Sequence, residues 1–147
     1  MNIYSESEES TLELGRRLAR LLQPGQVVAL YGDLGAGKTV LSRGVAQGLG
    51  VTEPVTSPTF TVVQEYHLAD GRFFFHLDMY RIDSAESAVA FGIEDFLFAN
   101  DAITLVEWPE RIEPLLERKG CIRMTLTHVE HDRRLIEIPD DLGTSLR

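Results

Sequence analysis

The stretch Gly32-Asp33-Leu34-Gly35-Ala36-Gly37-Lys38-Thr39 restricts this chain more than any other. It fits G-x-x-x-x-G-K-[ST], a pattern with physical meaning only when a strand precedes it and a helix follows. Both flanks are present. Val27-Val28-Ala29-Leu30-Tyr31 is a short apolar, β-rich run of the kind that forms a buried strand. Val40, Leu41, Val45 and Leu49 then recur at helical spacing until Gly48 and Gly50 stop the pattern. Gly32, Gly35 and Gly37 allow a backbone with positive φ to approach a polyphosphate without Cβ clashes. The loop N–H groups and the first helical turn then point at the anion, helped by the helix dipole. In such a loop Lys38 reaches the β- and γ-phosphates and the Thr39 hydroxyl ligates Mg²⁺.

Size and charge bound what surrounds this loop. With 147 residues, 44% of them hydrophobic, the chain suits one domain around a single core. It contains no apolar run of membrane-spanning length and no charged-then-apolar leader, so no membrane role is expected. A single cysteine, Cys121, excludes an internal disulfide and suits a reducing, cytoplasmic setting, where it reads as a small residue at the start of a strand. The net charge of −9 repels nucleic-acid phosphates, so any role in a nucleic-acid pathway calls for a partner to make the contact.

Along the chain, residues 3–4 suggest a short strand or arm. Ser5 or Ser7 then caps a helix whose apolar face is Leu12, Leu14, Leu18, Ala19, Leu21 and Leu22, ended by Pro24-Gly25. The loop from Val51 to Phe60 has two prolines and cannot be helical. It is either a surface connection or the segment that senses a γ-phosphate in many nucleotide hydrolases. Phe60–His67 and Arg72–Asp78 read as a hairpin about Asp70-Gly71, and Asp83 or Ser84 caps a helix to Phe91, with a second piece to Phe98. Asp101–Glu107 is another buried strand, Pro114 interrupts the helical stretch up to Lys119, and 121–128 with 133–138 make a closing antiparallel pair. The last residues look frayed.

Two of these strands end in carboxylates, Asp78 and Glu107. Ligands sit at the carboxyl ends of strands in open α/β sheets, so each can hold Mg²⁺ or orient the attacking water, and spacing alone does not divide the roles. His76 lies within an aromatic strand and reads as packed and hydrogen-bonded, with catalysis the lesser alternative. Trp108 reads as core or cleft wall, or as a ring stacked near the nucleotide. Arg81, Arg111 and Arg133 are candidates for phosphate contact, none standing out. The chain has no N-K-x-D motif, which argues against a Ras-type GTPase, and no arginine-rich lid, which weakens a small-molecule kinase. That kinase and a non-catalytic ATP-dependent switch are the competing readings.

Beyond the phosphate loop stand Ser57-Pro58-Thr59-Phe60, His76-Leu77-Asp78-Met79-Tyr80-Arg81, Gly92-Ile93 and Leu105-Val106-Glu107-Trp108-Pro109. Together with G-D-L-G-A-G-K-T, these resemble the bacterial TsaE family (formerly YjeE), the ATPase of tRNA threonylcarbamoyladenosine synthesis. The resemblance implies an α/β fold, a single P-loop NTPase domain over 1–147 with a mixed β-sheet flanked by helices. It implies binding of ATP and Mg²⁺, weak hydrolysis alone, and action with the TsaB and TsaD subunits, tRNA being met only through that complex. It makes Thr39 and Glu107 the Mg²⁺ ligands, and Lys38 and Asp78 the residues needed for turnover. Ser57, Pro58, Thr59 and Phe60 become a switch-like loop. The nucleotide-binding set becomes Gly32, Asp33, Leu34, Gly35, Ala36, Gly37, Lys38, Thr39 and Val40, joined by Glu8, Thr11 and a late arginine, Arg133 or its neighbour Arg134. Val40 departs from the family, which often has a second threonine there.

Overall fold

The computed structural model describes residues 1–33, 35–54 and 62–146. The expected loop Ser57, Pro58, Thr59 and Phe60, and Leu34 of the phosphate loop, lie outside the described residues. The strands are β1 Asn2–Ser5, β2 Val27–Tyr31, β3 Val63–His67, β4 Phe73–Asp78, β5 Ala102–Glu107, β6 Ile122–Glu130 and β7 Arg133–Glu137. The helices are α1 Glu8–Ala19, α2 Lys38–Gly48, α3 Ala85–Ala90, α4 Ile93–Leu97, α5 Glu113–Lys119 and α6 Asp140–Leu146, with a 3₁₀ turn at Pro109–Ile112. One sheet carries the order β1-β7-β6-β2-β5-β4-β3. Its centre, β6-β2-β5-β4, is parallel, while β3 and the β7–β1 pair run antiparallel at the two edges.

The central strands β2, β4 and β5 are buried on both faces, and the side-chain period of two divides the core into two layers. Val28, Leu30, Phe74, Ile103, Leu105, Met124, Leu126 and Ile136 pack against Leu14 and Leu18 of α1 and Leu41 and Val45 of α2. Val27, Ala29, Phe75, Leu77 and Val106 pack against Ala88 of α3, Ile93 and Leu97 of α4, and Leu115 and Leu116 of α5. The mixed sheet between helical layers agrees with the expected fold class.

Local chemistry accounts for several element boundaries. Ser7 caps α1, its hydroxyl accepting from the Ser10 N–H at 3.0 Å, and Ser84 caps α3 in the same way. Pro114 differs from expectation: it lies in the first turn of α5, where its missing N–H has no helical acceptor to lose, so it starts the helix rather than breaking one. The tail also differs. Residues 140–146 are helical and Leu146 is buried in the α1–α2 layer, an apolar contact too distant in sequence for local pattern to reveal.

Helices α1 and α2 approach to backbone contact. A Cβ on Gly44 would stand 2.2 Å from the Leu12 carbonyl oxygen, and one on Gly15 would stand 2.5 Å from that of Leu41. Neither obstacle is a side chain that can swing away. Gly44→Ala therefore destabilises the protein by about 1–3 kcal/mol through overpacking, despite gaining about 1 kcal/mol of helix propensity. Urea unfolding of the variant checks this; a raised midpoint would contradict so close a crossing.

Candidate functional site at the end of β2

The phosphate loop joins β2 to α2. Gly32 turns the chain out of the sheet with φ +146°, and a Cβ there would stand 2.5 Å from the Leu126 carbonyl of neighbouring β6. Gly37 takes φ +102° at the N-cap of α2, a left-handed conformation that glycine adopts without strain. Its carbonyl accepts from the Leu41 N–H at 3.0 Å, and the Asp33 carbonyl accepts from the Ala36 N–H at 3.1 Å. Gly35 is exposed and Ala36 buried.

Lys38, the first residue of α2, is only 5% exposed. Its ammonium has no hydrogen-bond partner among the described residues and stands 3.8 Å from the centroid of the Trp108 ring. Burial pushes the Lys38 pKa down, opposed by the charges of Glu107, Glu110, Asp78 and Asp33. Trp108 holds that ring position through a left-handed backbone, φ 56°, directly after β5, and Tyr80 packs on it at 5.1 Å. Thr39 and Val40 follow in the same helical turn, both half-buried.

The strand-end acids meet through register. Asp78 is paired with Glu107, and His76 with Leu105, on parallel β4 and β5. Alternation puts Phe74, His76 and Asp78 on the α2 side of the sheet with Ile103, Leu105 and Glu107. Glu107 is buried, and its Oε2 lies 2.5 Å from Nε2 of fully buried His76. Asp78 is half-buried, and its Oδ1 accepts from the Tyr80 N–H at 2.9 Å. Burial raises the Asp78 pKa and neighbouring Glu107 adds to it, while the Tyr80 N–H, His76 and Lys38 act the other way.

The more distant expectations fare differently. Glu8 is exposed at the start of α1, 4.0 Å from Arg43. Thr11 is buried, its hydroxyl 2.6 Å from that of Ser5 and donating to the Ser7 carbonyl at 3.2 Å, so it ties α1 to β1. Of the two late arginines, Arg134 reaches the phosphate loop, donating from Nη2 to the Gly35 carbonyl at 3.3 Å with Nε beside Gly37. Arg133 pairs with Glu6 at 3.1 Å and lies over the Tyr4 ring. Successive strand residues face opposite sides of a sheet, so only one of the pair can turn toward α2. Pairing Ile136 of β7 with Ile3 and Arg134 with Ser5 puts Arg134 on that side. Arg81 and Arg111 are exposed, Arg111 donating to the Ile82 carbonyl at 3.5 Å.

The donor set fits a polyphosphate carrying a divalent cation. A buried ammonium with no hydrogen-bond partner among the described residues stands where α2 begins, and carboxylates on adjacent strands lie beside it. Among the described residues no cluster of three or more histidine, cysteine or acidic side chains forms a metal cage. Such a set is compatible with Mg²⁺, which keeps several waters and takes one or two protein oxygens beside substrate phosphates. No helix among the described residues is long and apolar enough to cross a membrane.

The chain is similar to known proteins over most of its length. The family model described as "Threonylcarbamoyl adenosine biosynthesis protein TsaE" matches residues 5–136. The tRNA threonylcarbamoyladenosine biosynthesis protein TsaE of Haemophilus influenzae is 42% identical over 118 residues, 77% of this chain and 73% of the relative. That of a Nostoc species is 39% identical over 140 residues, 92% and 83% of the two chains. The crystal structure of Bacillus subtilis YdiB superposes with a TM-score of 0.78 at 29% identity, covering 99% of this chain and 90% of that one. The match therefore takes in both sheet edges as well as the phosphate loop, and the chain belongs to the TsaE family of threonylcarbamoyl adenosine biosynthesis.

Proposed function

We propose that this chain is a single-domain, cytoplasmic, Mg²⁺-dependent ATPase required for threonylcarbamoyladenosine modification of tRNA, acting with TsaB and TsaD proteins. The observation that carries the reading is the Lys38 ammonium, buried at the start of α2 with no hydrogen-bond partner among the described residues and with Glu107 and Asp78 nearby. A buried cation in that state is poised for an anionic ligand.

The residues divide the work by position. The backbone N–H groups of the 32–39 loop cradle the phosphates and Lys38 supplies the positive charge between them. Thr39 and Glu107 would hold Mg²⁺, which would supply positive charge against the developing charge of the phosphates. Asp78 orients the attacking water, its raised pKa suiting a group that receives a proton. Arg134 braces the loop at Gly35 and presents a guanidinium beside Gly37. The 54–60 segment is the element that ATP binding and hydrolysis switch, resetting the partner complex between rounds. With a net charge of −9, the chain leaves tRNA contact to its partners.

ATP hydrolysis by the purified chain, with and without the TsaB–TsaD pair and tRNA, tests this. We expect weak turnover alone and stimulation by the complex, reduced about tenfold or more in Arg134→Ala and much less in Arg133→Ala. Tight ATP binding with no stimulation would turn the reading toward a passive switch, and phosphate transfer to a metabolite toward a kinase.

A further inference from the structure

We propose that His76 is a positioning residue, holding Glu107 by one carboxylate oxygen so that the other faces the cation; the inference rests on the Mg²⁺ role given to Glu107 above. His76 is fully buried on β4, its ring stacked against Phe74 at 6.3 Å and 16°. Its Nε2 lies 2.5 Å from Glu107 Oε2, while its Nδ1 has no hydrogen-bond partner among the described residues.

That asymmetry identifies the tautomer. A bare Nε2 at this distance would set its lone pair against a carboxylate oxygen, so the hydrogen sits on Nε2 and is donated to Glu107. Leaving Nδ1 as an unprotonated acceptor avoids a buried N–H without an acceptor. Glutamate has enough side-chain freedom to swing its carboxylate toward the nearby Lys38 ammonium, an ion pair that would disable both groups at once. A rigid ring donor on the adjacent strand, two residues back in register from the Asp78–Glu107 pair and so on the same face of the sheet, prevents that swing. Groups that orient a metal-binding carboxylate in this way typically change metal affinity by about 10–100-fold when removed.

The test is an Mg²⁺ titration of the ATP-saturated chain, read from fluorescence of Trp108, the protein's single tryptophan, and from the melting temperature. His76→Leu is expected to raise the Mg²⁺ midpoint about 10–100-fold. His76→Gln, whose amide N–H₂ stands near the position of Nε2, is expected to recover most of the loss, and His76→Asn, which mimics Nδ1, is not. If His76→Leu does not fold, the glutamine and asparagine variants carry the comparison, and equal midpoints for those two overturn the proposal. Long-range ¹H–¹⁵N spectra of the metal-free protein are expected to show His76 protonated at Nε2, and protonation at Nδ1 alone overturns it as well. A wild-type chain that binds ATP without any Mg²⁺ response sinks the metal role of Glu107 itself, a result distinct from a wild-type response that His76→Leu leaves unchanged.

Discussion

Replacing Lys38 with methionine abolishes useful ATP binding, weakening it about a hundredfold or more, while the unliganded protein stays folded. The two effects separate because of where the ammonium sits. Each hydrogen bond to a charged partner contributes about 1.5–3 kcal/mol, and Lys38 would make at least two to a triphosphate. In the unliganded protein the same ammonium has no hydrogen-bond partner among the described residues to lose. Its burial already disfavours the charged form more than the surrounding acids favour it. A desolvated cation over an indole ring contributes about 2 kcal/mol, and methionine retains the packing part of that contact. Calorimetric ATP titration and a thermal melt on one preparation check both halves. Retained affinity in Lys38→Met would remove the phosphate-loop reading, whereas lost affinity together with unfolding would make Lys38 a structural residue.

Glu107 behaves differently because it serves two neighbours. Glu107→Gln is expected to lower Mg²⁺-dependent hydrolysis at least about a hundredfold. The fold survives, since the amide oxygen still accepts from His76. Glu107→Ala loses the same activity and also strips the buried His76 Nε2 of its acceptor, 2.5 Å away in the native protein. An unsatisfied buried donor costs about 1–3 kcal/mol, so the alanine variant melts earlier than the glutamine variant. Paired melts and Mg²⁺-dependent phosphate release distinguish the two losses. Equal stability of both variants would mean that the His76 contact carries no weight in the folded protein, and normal turnover in Glu107→Gln would take Glu107 out of the metal site.

The candidate site was legible in the chain wherever it rested on local order. G-x-x-x-x-G-K-T between an apolar strand and an amphipathic helix has one dominant physical use, and Asp78 and Glu107 declared themselves by ending apolar runs. His76 reads as packed and hydrogen-bonded, and it is, but nothing local says that its partner is Glu107, 31 residues away. Sequence leaves Trp108 between core or cleft wall and stacking ring; its left-handed backbone and its place over Lys38 are seen only in the folded chain. The close crossing at Gly15 and Gly44 has no local signature, because a glycine inside a helical pattern signals only lower propensity until the second helix is known.

What the sequence by itself determined is the chemistry of the loop, the α/β alternation and the acids at the strand ends, all properties of a few consecutive residues. The tertiary structure alone decided that β6 lies beside β2 and parallel to it, and that Arg134 rather than Arg133 turns to the phosphate loop. It also decided that α6 closes the α1–α2 layer. These depend on pairing register and on helices meeting across the sheet. A one-residue shift of register exchanges the faces of a strand without changing any local pattern.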